Sequence, residues 1–396
     1  MRSVPFARID CHGNELRYLQ DVLESGWLTT AAKAQTFERR FAEQVGAKHA
    51  CAVNSCTAAL HLALEAINVG PGDKVLVPTM TFTATAEVVR YLGADPVFLD
   101  VEYGSALLTP DICRAAIRAY PEAKALIVVH FGGQPAEMLR ADGQGITDLC
   151  RRHGIRVVED AAHAFPAIQG SRPVGGLGDA ACFSFYANKT ITTGEGGMLT
   201  TDNDEIAKRV RVMRLHGIDR DVWHRHSRRG SQWEYDVVAP GFKYNMPDVN
   251  AAIGLAQLER AAAMRKERQR CALRYLERLT RLPALDLPLL RSPVEHHAWH
   301  LFCVVLRRGA AEARNRLIER LARRGVGTSV HYKPLHRMTY YRNRYRLEPG
   351  MFPEAERMWQ GCFSLPIYAT LTDDDVDYVC DQLEAALAAE APAADR

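Results

Sequence analysis

Strand-like and helix-like segments alternate through the first two thirds of this 396-residue chain, and that alternation leaves few folds open. His49–Val53, Lys74–Val77, Pro96–Leu99, Ala123–His130, Ile155–Glu159, Ala180–Phe185 and Gly197–Thr201 read as strands. Helical spacing recurs between several of them, over Thr57–Ile67, Phe82–Leu92 and Gly145–His153. Two further helices, Asn14–Ser25 and Ala34–Val45, precede the first strand and stop at Gly26 and Gly46. Strands joined by helical crossovers run parallel, and a parallel sheet must be covered on both faces. The expected architecture is α/β, a mostly parallel sheet between helices with ligand sites at the strand C-termini.

The texture then changes. Asp219–Asp236, rich in Arg, His and Trp, reads as a long loop, and loops of that length are usually functional or disordered. Asp248–Leu282 is one long helical pattern. A smaller α+β unit follows: strand Ala298–Leu306, helix Ala311–Arg324, strand Gly327–His331 and helix Asp373–Ala388, with a frayed end over Glu390–Arg396. The expected division is a large unit over 1–247, a connecting helix over 248–282 and a small unit over 283–396.

Composition narrows the function classes. Lys and Arg number 50 against 47 Asp and Glu, a net charge of +3 that argues for neither a nucleic-acid nor a membrane-surface partner. No apolar run reaches the length of a membrane span. The ten cysteines are scattered without a Cys-x-x-Cys pair, the pattern of reduced thiols, so a cytoplasmic enzyme is expected. Only nine of the 50 basic residues are lysine, so a lysine in a neutral, apolar stretch stands out.

Lys189 is such a residue. It lies between a strand and the turn Gly194-Glu195-Gly196-Gly197, with no acidic neighbour before Glu195. An amine desolvated there loses its proton and can attack a carbonyl, as a Schiff-base lysine must; a surface lysine on a strand exit is the plainer reading. The glycine turn is neither a Walker loop nor Gly-x-Gly-x-x-Gly and reads as a tight turn. Glu159-Asp160 ends a buried strand, where a carboxylate can hold the protonated ring nitrogen of a pyridoxal cofactor, cap a helix or pair in the core. Ser55-Cys56-Thr57-Ala58 opens a helix, either as an anion cup or through plain capping. In chain order, helix start, Phe82, Asp160, Ser184 and Lys189 supply an anion cup, a stacking face, a ring-nitrogen carboxylate and an imine amine. The histidines of Glu295–His300 lack the spacing of a zinc helix, and no metal is expected. His331 and His336 flank Tyr332-Lys333-Pro334 in a turn that can meet substrate. Arg228-Arg229 can meet a diphosphate, and Trp223 and Trp233 pack the loop or stack on a base.

These residues, with Gly26–Thr30, Pro78–Phe82, Gly241–Asn245 and His331–His336, resemble the DegT/StrS-type family of pyridoxal-phosphate-dependent sugar aminotransferases over nearly the whole chain. The resemblance implies fold type I, pyridoxal 5'-phosphate as cofactor and a homodimer with shared active sites. It implies Lys189 as cofactor attachment point and proton shuttle, Asp160 on the pyridine nitrogen and Phe82 on the ring. His163 falls near the cofactor's hydroxyl side, Thr57, Ala58 and Ser184 at the phosphate, and Asn245 reaches in from the partner subunit. Cys56 replaces the glycine commoner in the cup. Trp27, Thr29, Arg229 and His331 are the expected substrate contacts. Within the family, Lys243–Asn245, His297–Phe302 and Tyr340–Arg342 look most like transaminases acting on UDP-linked 4-keto sugars with L-glutamate as donor. A keto-cyclitol aminotransferase and a non-catalytic regulatory member are the alternatives.

Overall fold

In the computed structural model, which describes residues 2–219, 235–307 and 311–389, two helices precede the first strand. They are α1 (Glu15–Ser25) and α2 (Ala32–Val45), each closed by a left-handed glycine, Gly26 and Gly46. The strand-helix alternation then runs β1 (His49–Val53), α3 (Cys56–Ala66), β2 (Lys74–Pro78), α4 (Ala84–Tyr91), β3 (Asp95–Leu99), α5 (Pro110–Ala119), β4 (Ala125–Val129), α6 (Ile146–Arg152) and β5 (Arg156–Asp160). A short ribbon, β6 (Ile168–Gln169) with β7 (Arg172–Pro173), leads to β8 (Ala180–Ser184), β9 (Gly197–Thr201) and α7 (Asp204–Met213).

Seven of these strands form one sheet in the order β1-β9-β8-β5-β4-β2-β3. β3, β2, β4, β5 and β8 are parallel, whereas β9 runs antiparallel to both β8 and β1. β1 therefore points the same way as β8, and the C-termini of β1, β2, β4, β5 and β8 share one edge. Loops from that edge can meet, which is why residues far apart in sequence build one site there.

The long helix α8 (Asp248–Leu279) packs on α1 and α2 and carries the chain to a three-stranded antiparallel sheet. That sheet is ordered β10 (Leu285–Asp286), β11 (Phe302–Leu306), β12 (Cys362–Leu365). It shares an apolar core with helices Ala311–Arg323 and Asp373–Ala388, centred on Trp299, Phe302, Phe363, Leu317 and Leu383. A ladder of arginines on α8, Arg270, Arg274, Arg278 and Arg281, faces Asp373, Asp377, Asp381 and Glu384. Among the described residues no helix is long and apolar enough to cross a membrane.

The structure departs from expectation at several points. Gly327–His331 is not a strand: Ser329 makes a single bridge with Ser364, and Val326 just before the segment makes one with Val4, so no ladder forms. The strand expected from Ala298 starts at Phe302, because Trp299 takes a left-handed φ of 50°. Helices α5 and α7 were not anticipated, although their caps are written in Thr109-Pro110 and Asn203, whose side chains accept from the first-turn N–H groups. Most of the expected loop Asp219–Asp236 lies outside the described residues, as do Arg228, Arg229, Trp223, Trp233 and all of the expected tail Glu390–Arg396.

Candidate active site

A cavity of about 520 Å³ opens at the shared C-terminal edge. It collects Thr57, Phe82, Asp160, His163, Ser184, Lys189 and His331 from five segments of the chain, together with Cys56, Tyr186, Asn188 and Tyr332.

The floor begins where α3 starts. Ser55 is the N-cap, its Oγ accepting from Ala58 N–H at 3.0 Å. That bond occupies the Ala58 donor and leaves the N–H groups of Cys56 and Thr57, which have no intrahelical partner, to point past the helix end. Free amides together with the helix dipole favour an anion here. Gly197 on β9 lies directly against this turn: a Cβ there would stand 2.4 Å from the Ser55 carbonyl carbon and 2.6 Å from Cys56 N. Gly197→Ala is accordingly expected to cost roughly 1–3 kcal/mol, read as a lower thermal midpoint, because backbone must move to admit the methyl.

Asp160 and Glu159 illustrate strand alternation, which sends neighbouring side chains to opposite faces. Glu159 turns away from the cavity, pairs with His130 at 3.0 Å and accepts from the N–H groups of Leu177 and Gly178. Asp160 faces the cavity, accepting from Thr85 Oγ1 at 2.8 Å and Ala162 N–H at 3.2 Å. Thr85 Oγ1 in turn meets Thr81 Oγ1 at 2.8 Å. Burial raises the Asp160 pKa above the usual carboxylate range even though these bonds oppose it. No cation lies within ion-pair distance of this carboxylate among the described residues, so a positively charged ligand group would find it unpaired.

Lys189 is half-buried and forms no ion pair among the described residues. Burial pushes its pKa down to about 8, with the Arg268 charge acting in the same direction and Asp160 opposing it. Arg268, on α8, is itself buried, donating to the carbonyls of Trp299 and Ile367 at 3.2 and 2.8 Å. A large fraction of neutral amine is therefore present at mildly alkaline pH, which is what nucleophilic attack on an aldehyde requires.

Tyr332 Oη stands 3.1 Å from His163 Nε2, and Gly132 N–H donates to His163 Nδ1 at 3.3 Å. The His163 ring packs on His300 at 4.4 Å, and Phe82, half-exposed over the cavity, tilts against Tyr332 at 6.0 Å. His331 meets Ser364 Oγ at 2.9 Å and stacks on Phe6.

Four of the expected residues that the structure describes do not line this cavity. Asn245 donates to Thr30 Oγ1 at 2.6 Å and accepts from Lys243 Nζ at 2.6 Å. Trp27 Nε1 points to Thr30 carbonyl oxygen, and Thr29 is exposed. Ala58 follows Thr57 and is buried without lining the cavity. Arg229 lies outside the described residues. The supporting threonines 81 and 85 were missed by sequence reasoning. Their signal, two hydroxyls four apart at a strand-to-helix turn, is common. Asn188, whose Oδ1 is buried without a partner among the described residues, was also missed.

The donor set fits a phosphorylated pyridine aldehyde: free amides for the phosphate, an unpaired buried carboxylate for a ring N–H, and an amine of depressed pKa for the aldehyde. Comparison with known proteins agrees. The DegT/DnrJ/EryC1/StrS aminotransferase family matches residues 10–384. SpsC of Bacillus subtilis (strain 168), a spore coat polysaccharide biosynthesis protein, is 43% identical over 369 residues, 93% of this chain and 92% of that protein. Spr1654 of Streptococcus pneumoniae, assigned as a sugar aminotransferase and solved in its PMP form, superposes with a TM-score of 0.88 at 30% identity, covering 97% of this chain and 98% of that one. DesV of S. venezuelae, solved in complex with a ketimine intermediate, superposes with a TM-score of 0.84 at 32% identity, covering 98% and 99%. The chain belongs to the DegT/DnrJ/EryC1/StrS aminotransferase family, as a pyridoxal-phosphate-dependent aminotransferase of fold type I.

Proposed function

We propose that this protein moves an amino group from L-glutamate to the C4 ketone of a nucleotide-linked keto sugar, with UDP as the carrier. The observation that carries the reading is the amine of Lys189, depressed to a pKa of about 8, in one cavity with the unpaired carboxylate of Asp160 and the open start of α3. Family membership supports the sugar, and the name of SpsC supports a polysaccharide route.

In this reading Cys56 and Thr57 N–H, the Thr57 hydroxyl and Ser184 hold the phosphate, with Ala58 acting through its bond to the Ser55 cap. Phe82 would supply a stacking face for the cofactor ring, and Asp160 would hold a proton at the ring nitrogen. His163, kept neutral because burial and the Lys189 charge hold its pKa well below the ordinary value, would lie near the cofactor's hydroxyl side. Pyridoxal phosphate, when bound, supplies an electron sink for the charge left when the substrate Cα loses its proton. Lys189 Nζ would take that proton and hold it for return, a role suited to an amine that titrates close to working pH. His331 faces the substrate. Trp27, Thr29 and Asn245, which lie outside the cavity of their own chain, are assigned to the partner's site in a homodimer, and Arg229 to the sugar diphosphate.

The pKa of Lys189 sets a pH dependence. Its ammonium form cannot attack an aldehyde, so the rate at which cofactor-free protein captures pyridoxal phosphate should rise about tenfold per pH unit below pH 8 and level off above it. Stopped-flow absorbance reads this directly. A flat profile from pH 6 to pH 9 would remove the amine's titration from the capture step.

The function itself is tested by presenting UDP-linked 4-keto sugars and a free keto-inositol with glutamate and following 2-oxoglutarate release. Turnover on the nucleotide sugar alone is expected. Preference for the keto-inositol would overturn the substrate reading and favour a cyclitol route.

A further inference from the structure

The two hydrogen bonds on His163 determine which way a third one points. Gly132 N–H donates to Nδ1 at 3.3 Å, and a ring nitrogen that accepts carries no proton. A neutral imidazole keeps one proton, so it resides on Nε2. Nε2 faces Tyr332 Oη at 3.1 Å, so the imidazole donates and the phenol oxygen accepts. The proton of Tyr332 is thus not spent on His163, and no second hydrogen bond of this hydroxyl occurs among the described residues.

The phenol is held in place. Its ring lies 6.0 Å from Phe82, 6.1 Å from Phe131 and 4.9 Å from the His331 ring, while His300 packs against the far side of His163. Tyr332 lines the cavity that holds Lys189 and Asp160. Burial, reinforced by the Asp160 charge, raises the phenol's pKa, so the group keeps its proton at working pH.

We infer that Tyr332 is a catalytic proton donor to the carbonyl oxygen of the amino acceptor, with His163 as the positioning residue that aims it; the inference rests on the ketone-amination reading above. Replacing a carbonyl oxygen by nitrogen expels that oxygen as water. The amine nitrogen bonds to the carbonyl carbon while the oxygen gains a first proton. The C–O bond then breaks with its electron pair on oxygen as Tyr332 Oη supplies the second proton. The phenolate left behind takes a proton from the same nitrogen, so the two N–H protons lost by the amine equal the two carried away in water. The reverse sequence releases 2-oxoglutarate. Lys189 moves the Cα proton, a step that involves no carbonyl oxygen, and the two roles can therefore be separated.

The holoenzyme variant Tyr332→Phe provides that separation. Exchange of the glutamate Cα hydrogen in heavy water, followed by NMR, should stay within about 3-fold of wild type, while 2-oxoglutarate release and keto-sugar amination fall roughly 10²-fold. Equal losses in exchange and release would reduce Tyr332 to a structural role, and unchanged release would remove it from the reaction. A second measurement needs neither substrate nor cofactor: in nitrogen NMR of the labelled cofactor-free protein, His163 should show an unprotonated Nδ1 and a protonated Nε2. A proton on Nδ1 overturns the inference. Wild-type protein inert to glutamate would count against the proposed donor, and the histidine spectrum would then decide the Tyr332 assignment by itself.

Discussion

Lys189→Ala is expected to lower glutamate-dependent turnover by about 10⁴-fold or more, because in the proposed mechanism one side chain both anchors the cofactor and moves the substrate proton. The fold should survive. Lys189 has no ion-pair partner among the described residues, and burial already disfavours its charge, so the alanine removes a cost and no contact of note. Circular dichroism should be unchanged and the thermal midpoint equal or higher. Borohydride treatment of coloured wild-type protein followed by peptide mapping should leave the reduced adduct on Lys189 and none in the variant. Retained turnover in Lys189→Ala, or an adduct mapped to another lysine, would end the assignment.

Asp160→Asn should cost on the order of 10²–10³ in turnover and speed cofactor loss on dialysis. The amide oxygen can still accept from Thr85 Oγ1 or Ala162 N–H, so shape and local bonding are largely kept. What disappears is the negative charge that would hold a proton on a pyridine nitrogen, and in a buried site that charge has little water to replace it. Stability should move the other way. Burial raises the Asp160 pKa, so holding the carboxylate ionised at neutral pH costs folding energy in the cofactor-free protein, and the neutral amide does not carry that cost. Cofactor-free Asp160→Asn should therefore melt no lower than wild type at pH 7, with any gain vanishing as the pH falls through the carboxyl's titration. Unchanged kinetics in this variant would take Asp160 out of the mechanism.

Much of the sheet was legible in the chain. β1 and β9 match their expected spans residue for residue, and β2 to β5 and β8 match within two at each end. Short apolar runs bounded by glycine or proline are compatible with little else. The failures have specific causes. Gly327–His331 has strand composition, yet its neighbours Val4 and Ser364 each offer a single bridge, a property of tertiary pairing that local pattern does not contain. In α5 the Thr109-Pro110 cap was a readable signal that was passed over.

The candidate site divides along the same line. Residue types and their order along the chain singled out Lys189, Asp160 and the start of α3, because the chemistry expected of them admits few side chains, and the structure brings all three to one cavity. Local alternation could also say that Glu159 and Asp160 face opposite ways. Which of the two meets the cavity was decided by the fold, since it depends on which face of β5 the edge loops cover. The depressed pKa of Lys189 belongs to the fold as well, because desolvation is a property of everything packed around an atom. So does the proton on His163, which is set by an N–H donated from Gly132, a residue 31 positions away. Chain order names the reagents; only burial and hydrogen-bond direction, both long-range in sequence, set their charges and where their protons point.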